Sequence, residues 1–114
     1  MITWSSFNFL KLNIAIKEPT GAIFVSGALE IYDVESLREV LLRELVARTE
    51  LVLDLAGVTE CDTAGAQLIC AARKSAAENG KPFQLERPSS AFLTCCQRLG
   101  LGEAASPTSK RSKS

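Results

Sequence analysis

The run Leu51-Val52-Leu53-Asp54-Leu55-Ala56-Gly57-Val58-Thr59-Glu60-Cys61-Asp62-Thr63-Ala64-Gly65-Ala66 decides how this chain is organised. Its first five residues are short and largely apolar, the pattern of a strand inside a sheet. A short loop then delivers Asp62-Thr63-Ala64-Gly65 to the first turn of a helix, with Asp62 as the N-cap. The inner face of that helix is Gly65, Leu68, Ile69, Ala72 and Ala76, and Arg73, Lys74 and Glu78 are left for solvent. Asn79-Gly80 followed by Lys81-Pro82 stops it.

Downstream, residues 83–86 read as a further strand, and Pro88-Ser89-Ser90 opens a last helix with Phe92, Cys96 and Leu99 inward, ending at Gly100. Upstream, residues 9–16 alternate. Leu10, Leu12, Ile14 and Ile16 lie on one side, and Lys11, Asn13 and Ala15 on the other, the period of a half-buried strand. Glu18-Pro19-Thr20-Gly21 is a turn, and residues 22–26 form the second arm of an antiparallel hairpin. After Gly27 the period changes. Asp33 reads as an N-cap, and Val34, Leu37, Leu41 and Leu45 recur at helical spacing in a helix ending near Arg48. Glu39 and Arg43 are spaced for an i,i+4 pair on its outer side.

The order is therefore β-β-α-β-α-β-α. Strands separated by helices require right-handed crossovers and parallel pairing, while the opening hairpin adds an antiparallel edge. The expected architecture is an α/β single domain, a mostly parallel sheet with an N-terminal antiparallel hairpin and helices packed on it. The domain is expected over residues 1–102. Residues 103–114 hold no large apolar side chain, so a disordered polar tail is expected there.

At 114 residues the chain is long enough for a real core, with 46% hydrophobic and 23% charged residues. Thirteen basic residues balance thirteen acidic ones, which points to neither nucleic acid nor an anionic membrane surface. No apolar run approaches the roughly 18–20 residues that span a bilayer. Met1-Ile2-Thr3-Trp4-Ser5-Ser6 has neither the basic region nor the apolar core of a signal peptide, so a cytoplasmic protein is expected. Cys61, Cys70, Cys95 and Cys96 lack the paired short spacings of a zinc site, and the chain has no histidine. Neither a metal nor a cofactor is expected, and catalysis lacks its commonest general base. A nucleophilic Cys61 at a helix start is the enzymatic alternative, with no base evident beside it. The phosphate-cradling pattern Gly-x-x-x-x-Gly-Lys is absent from the sequence.

The helix start after the third strand is the candidate site. The free N–H groups at Thr63, Ala64 and Gly65, with the positive end of the helix dipole, favour an anion. A phosphate on a hydroxyl there would gain from the dipole but lie close to Asp62. Its nearly two charges would change the fit to a partner. The small side chains of Ala64, Gly65 and Ala66 let another backbone approach closely. Asp-Thr at a helix start is also ordinary capping, and Gly65 also suits close packing of helix on sheet.

Taken in order, these segments resemble the STAS family, which includes sulfate-transporter cytoplasmic domains and anti-sigma-factor antagonists. Gly27-Ala28-Leu29-Glu30 is similar to its Gly-x-Leu-Asp segment, and residues 51–55 to its central strand. Asp62-Thr63-Ala64-Gly65 stands where the family has Asp-Ser-Ser-Gly or Asp-Thr-x-Gly. Gly80-Lys81-Pro82-Phe83-Gln84-Leu85 and Leu99-Gly100-Leu101 also fit, so that the resemblance runs over about residues 9–101. It implies a non-enzymatic protein-binding role, partner switching. A kinase that is also an anti-sigma factor binds this surface, phosphorylation of the second hydroxyl breaks the complex, and a phosphatase resets it. Asp62 matches the signature Asp, Thr63 the first hydroxyl and Gly65 the glycine, while Glu30 matches an acidic residue bordering the surface. Ala64 stands at the usual phosphoacceptor position, so Thr63 is the hydroxyl left to take that role. The expected partner-binding residues are Glu30, Asp62, Thr63, Ala64, Gly65 and Ala66.

Asp-Thr-Ala-Gly followed by Gln67-Leu68 is similar to stand-alone STAS proteins of bacterial chemotaxis signalling. Asp-Thr-Gly-Gly relatives occur as the small subunit of lipid-transport ABC complexes, where the domain clamps an ATPase. The resemblance thus implies a protein partner of anti-sigma/kinase-like or chemotaxis type, with an ABC ATPase as the alternative.

Overall fold

A computed structural model describes residues 3–9 and 11–101. Five strands, β1 (Thr3–Asn8), β2 (Leu12–Glu18), β3 (Ala22–Leu29), β4 (Leu51–Cys61) and β5 (Phe83–Glu86), form one sheet in the order β1-β2-β3-β4-β5. Helix α1 (Ile31–Ala47) joins β3 to β4, α2 (Thr63–Glu78) joins β4 to β5, and α3 (Ser90–Arg98) follows. The β1–β2 and β2–β3 pairs are antiparallel and the β3–β4 and β4–β5 pairs parallel. The α/β architecture is as expected, and the sheet is evenly mixed because a strand precedes the hairpin.

Strand β1 was not legible as a strand. Its serines at positions 5 and 6 blur the alternation, and Trp4, Ser5, Ser6 and Asn8 are exposed. It is held as an edge by its ladder to β2, with Phe7 opposite Ile14 and Trp4 opposite Lys17. The Trp4 ring also lies 5.2 Å from that of Phe24. The hairpin forms around the expected turn, Lys17 pairing with Ala22, but its first strand runs Leu12–Glu18 rather than over residues 9–16. Leu12, Ile14 and Ile16 are buried as the alternation requires, while Leu10 and the tail 103–114 lie outside the described residues.

The core collects one face of the sheet against the helices. Ile23, Val25 and Leu29 of β3 meet Leu51, Leu53, Leu55 and Val58 of β4, with Leu37, Val40 and Leu41 of α1. Leu68, Ile69 and Ala72 of α2 and Phe92 and Cys96 of α3 complete it. Each fully buried Leu, Ile or Phe contributes about 2 kcal/mol of transfer free energy, so this face holds the fold together. Leu99, expected inward, is instead 36% exposed, because α3 ends at Arg98 and Leu99 is already its C-cap.

Two polar clamps fix the layers. Arg48 donates to both Glu18 oxygens (2.8 and 3.0 Å), to Glu44 (2.9 Å) and to the Pro19 carbonyl (3.1 Å), tying the end of α1 to the β2–β3 turn. Asp54, only 4% exposed, accepts from the Ala56 amide at 3.0 Å and from the guanidinium of Arg87. On α1, Glu39 and Arg43 are not among the ion pairs of the described residues. Arg43 lies over the Phe7 ring at 5.5 Å, where β1, missed in the sequence, supplies a competing contact.

Candidate functional site

Strand β4 does not stop at Leu55. It continues as strand to Cys61, so that Asp62 follows it directly and the loop expected there is absent. Its pairing with β3 persists, Ala28 opposite Glu60 and Leu29 opposite Cys61, with register shifts before Ser26 and Ala28 that keep the longer strand aligned. The ends of β3 and β4 therefore lie side by side, and each runs straight into a helix. Residues 30–31 and 62–63 meet at this end of the sheet.

Asp62 joins the two helix starts. One carboxylate oxygen accepts from the Gly65 amide at 2.9 Å, the expected N-cap of α2. The other accepts from the Ile31 amide at 3.0 Å, the first residue of α1. The Asp62 amide itself donates to the Leu29 carbonyl at 3.1 Å. One carboxylate thus sits at the positive ends of two helix dipoles and satisfies an orphan amide in each.

This bridge corrects the expected start of α1. The helix begins at Ile31 with Glu30 as its N-cap residue, and the Glu30 side chain makes no capping bond. Asp33 is not the cap. It is buried within the first turn and accepts from the Lys11 amide at 2.7 Å. The helix starts earlier than its local sequence suggests because the capping oxygen arrives from a residue 31 positions away.

Gly65 is required by close approach. A Cβ there would stand 2.3 Å from the Leu29 carbonyl oxygen, a contact no side chain accommodates. Gly27 is required twice over, by φ of +92° and by the Lys11 carbonyl 2.4 Å from any Cβ. These two glycines let the α2 start and the Lys11 backbone press against the end of β3.

Around the bridge, Thr63 is exposed, Ala64 half-buried, and Gly65 and Ala66 buried. Of the four, Thr63 and Ala64 therefore reach the surface, whereas Gly65 and Ala66 shape it from beneath. Ile31, Asp62, Thr63, Ala64 and Gln67 line a shallow groove of about 370 Å³. Beside it stand Ile31 at 66% and Tyr32 at 68% exposure, large apolar side chains presented to solvent. Sequence reasoning missed them, although two adjacent bulky residues ahead of the buried stripe of α1 were a signal.

Charge gathers on the other flank. Glu30 is half-buried, with Lys11 Nζ 4.0 Å from its carboxylate, and Lys11 also lies 5.0 Å over the Tyr32 ring. Desolvation, followed by hydrogen bonding and repulsion with Glu60, raises the Glu30 carboxyl above its ordinary value. Lys11 pulls it down and Asp62 adds to the rise. Glu60 and Lys11 are the second pair of residues that sequence reasoning did not place here.

Cys61 does not fit the nucleophile alternative. Burial, then the neighbouring Cys95, push its thiol well above the ordinary range, so the reactive thiolate is disfavoured near neutral pH.

With this geometry in place, comparison with known proteins adds the family. The family model described as Mlab, STAS domain, matches residues 12–106. No curated protein sequence matches the chain. Among solved structures, an anti-sigma factor antagonist from Mycobacterium paratuberculosis has a TM-score of 0.64 at 16% identity, covering 90% of this chain and 81% of that one. The anti-sigma factor antagonist SpoIIAA in its unphosphorylated form has a TM-score of 0.62 at 15% identity, covering 95% and 90%. These likenesses show a shared fold. Among the described residues, no helix is long and apolar enough to cross a membrane. The ordered segments, the glycine under Leu29 and the family match lead to one assignment: the chain belongs to the STAS domain family.

Proposed function

We propose that this domain is a protein-binding adaptor of the partner-switching kind, acting through the face built by Glu30, Ile31, Tyr32, Asp62, Thr63 and Ala64. The observation that carries the reading is the exposed Thr63 on the first turn of α2, beside exposed Ile31 and Tyr32 and above buried Gly65 and Ala66. A partner gains apolar area from Ile31 and Tyr32, while the small residues allow its backbone to come close. A phosphate on Thr63 would then add nearly two charges at the centre of the contact. It would stand beside Asp62, whose Gly65 contact uses one of the amides that stabilise an anion there.

The likeness to anti-sigma factor antagonists supports the same reading. The test is incubation with ATP and a kinase of the anti-sigma-factor type, followed by mass-spectrometric mapping of the product. Label on Thr63, with loss of the complex, is the expected result. Label confined to serines elsewhere, or a complex unaffected by Thr63→Glu, refutes the switch.

A second reading, a non-catalytic subunit that clamps the ATPase of an ABC lipid transporter, is favoured by Ala64. It leaves the usual switch position without a hydroxyl. Co-expression with an ABC ATPase separates the two, since a stable complex indifferent to Thr63→Glu belongs to this reading alone.

A further inference from the structure

Four thiols gather on the side of the domain that carries the end of β4. Cys61 closes β4, Cys95 and Cys96 lie on α3, and Cys70 lies on α2. Cys61 and Cys95 face the same groove of about 380 Å³ between the end of β4 and α3, which Glu60, Thr94 and Arg98 also line. Both are partly accessible, whereas Cys96 is fully buried in the core. After burial, Cys95 is the strongest influence on the Cys61 thiol, and Cys61 also donates to the Asp62 carbonyl at 3.5 Å. All four are free thiols. Among the described residues, no group of three or more metal-ligating side chains is placed to hold a metal ion, so the cluster offers pairwise thiol chemistry.

We infer that Cys61 and Cys95 are an oxidation site, a dithiol that a peroxide closes to a disulfide, tethering the end of β4 to α3. This goes beyond the partner-binding reading and does not depend on it. The Cys61 thiol, pushed up by burial and by its cysteine neighbours, keeps its proton near neutral pH. Cys95 makes the first attack and Cys61 resolves it, an order that the Cys61→Ser variant tests. The Cys95 thiolate sulfur attacks peroxide, the O–O bond breaks, and Cys95 becomes a sulfenic acid while the departing hydroxide takes a proton to become water. The Cys61 sulfur then attacks the Cys95 sulfur, the S–O bond breaks, and the leaving hydroxyl takes the Cys61 proton to form a second water. Two thiols lose two electrons and two protons, and one peroxide is reduced to two waters. Because Cys61 adjoins Asp62, the tether fixes the residue that bridges the starts of α1 and α2.

The experiment treats the full reduced chain with hydrogen peroxide and reads intact mass, a non-reducing peptide map and amide exchange. The expected result is loss of two hydrogens per chain, a Cys61–Cys95 crosslink, and at least tenfold slower exchange of the Asp62 and Gly65 amides. Cys70→Ser and Cys96→Ser variants keep the crosslink. Cys61→Ser and Cys95→Ser lose it, and Cys61→Ser accumulates a dimedone-reactive sulfenic acid at Cys95. Circular dichroism confirms that each serine variant is folded. If any variant is unfolded, the wild-type peptide map decides the matter by itself. A crosslink through Cys70 or Cys96, a disulfide between two chains, or oxygen uptake without a crosslink overturns the assignment. Unchanged exchange at Asp62 and Gly65 in the crosslinked protein overturns the tether.

Discussion

Replacing Asp62 by alanine tests the central feature of the site, one carboxylate serving two helices. The variant removes the 2.9 Å bond to the Gly65 amide and the 3.0 Å bond to the Ile31 amide. Loss of an N-cap costs about 1 kcal/mol. The second bond, also to a charged acceptor, adds about 1 kcal/mol, at the low end because the Ile31 amide is exposed and water can replace the carboxylate. Favourable contact with two helix dipoles adds about 0.5 kcal/mol each. The expected loss is about 3 kcal/mol. With a urea m-value of about 1.5 kcal/mol/M, that moves the midpoint down by about 2 M.

The chain supplies its own standard. Ser89 is a single cap, accepting from the Phe92 amide at 3.2 Å, so Ser89→Ala should cost about 1 kcal/mol and about 0.7 M. Asp62→Asn keeps one acceptor oxygen and turns an NH₂ group toward the second amide, so it should fall between the two. Amide exchange adds a residue-level readout, with Ile31 and Gly65 both exchanging faster in Asp62→Ala. A midpoint shift no larger than that of Ser89→Ala, with Ile31 exchange unchanged, would show that the bridge to α1 contributes nothing.

Other substitutions follow from the same contacts. Gly65→Ala sets a Cβ 2.3 Å from the Leu29 carbonyl and should cost about 3 kcal/mol in a denaturant melt; a Leu29→Ala background should give no rescue, since the obstacle is backbone. Arg87→Ala leaves the 4%-exposed Asp54 without its guanidinium. Its cost should be about 2 kcal/mol, between the values of exposed and buried pairs because Arg87 itself is largely in water. Glu30→Gln should raise stability at neutral pH. A carboxyl raised in the folded state is disfavoured when ionised, so the wild type recovers as pH falls through that raised value and the difference closes near the ordinary 4.5. Parallel melts from pH 7 to 4.5 check the sign, and a gap that widens on acidification contradicts it. Alkylation of Cys61 by iodoacetamide should keep rising about tenfold per pH unit through pH 9, past the point near 8.5 where an ordinary cysteine levels off.

What could be read in the sequence was whatever depends on neighbours in the chain. The buried stripe of α2, the Asp62 cap, the turn around Pro19 and the opening of the last helix at Pro88-Ser89-Ser90 are local patterns, and the structure has them where periodicity and turn chemistry place them. Long-range satisfaction was illegible. Asp33 has the local signature of a cap, yet its carboxylate serves the Lys11 amide, and α1 is capped from Asp62. Strand β1 exists because β2 offers it a ladder, which no property of Thr3–Asn8 announces. The site divides the same way. Asp62, Thr63, Ala64, Gly65 and Ala66 form one contiguous motif and were identifiable. Ile31, Tyr32 and Glu60 join them only because parallel pairing sets the ends of β3 and β4 side by side.

That pairing is also why stability and binding are hard to separate at this face. The proposed phosphate on Thr63 would sit where amides at the start of α2 are already shared with the Asp62 carboxylate. An added dianion within a few ångströms of that carboxylate is repelled at short range, and the repulsion is weakly screened where the groups are partly buried. The weaker partner in the arrangement is the exposed bond to Ile31, because water can take its place while the α2 cap is better sheltered. Charge on Thr63 should therefore loosen the start of α1 before it disturbs α2. The residues released there are Ile31 and Tyr32, the exposed apolar side chains of the proposed contact face. A phosphate would in this way act twice, by its own charge at the contact and by loosening the apolar residues beside it. Ile31 amide exchange in Thr63→Glu, compared with that of Gly65, measures the second effect separately from the first.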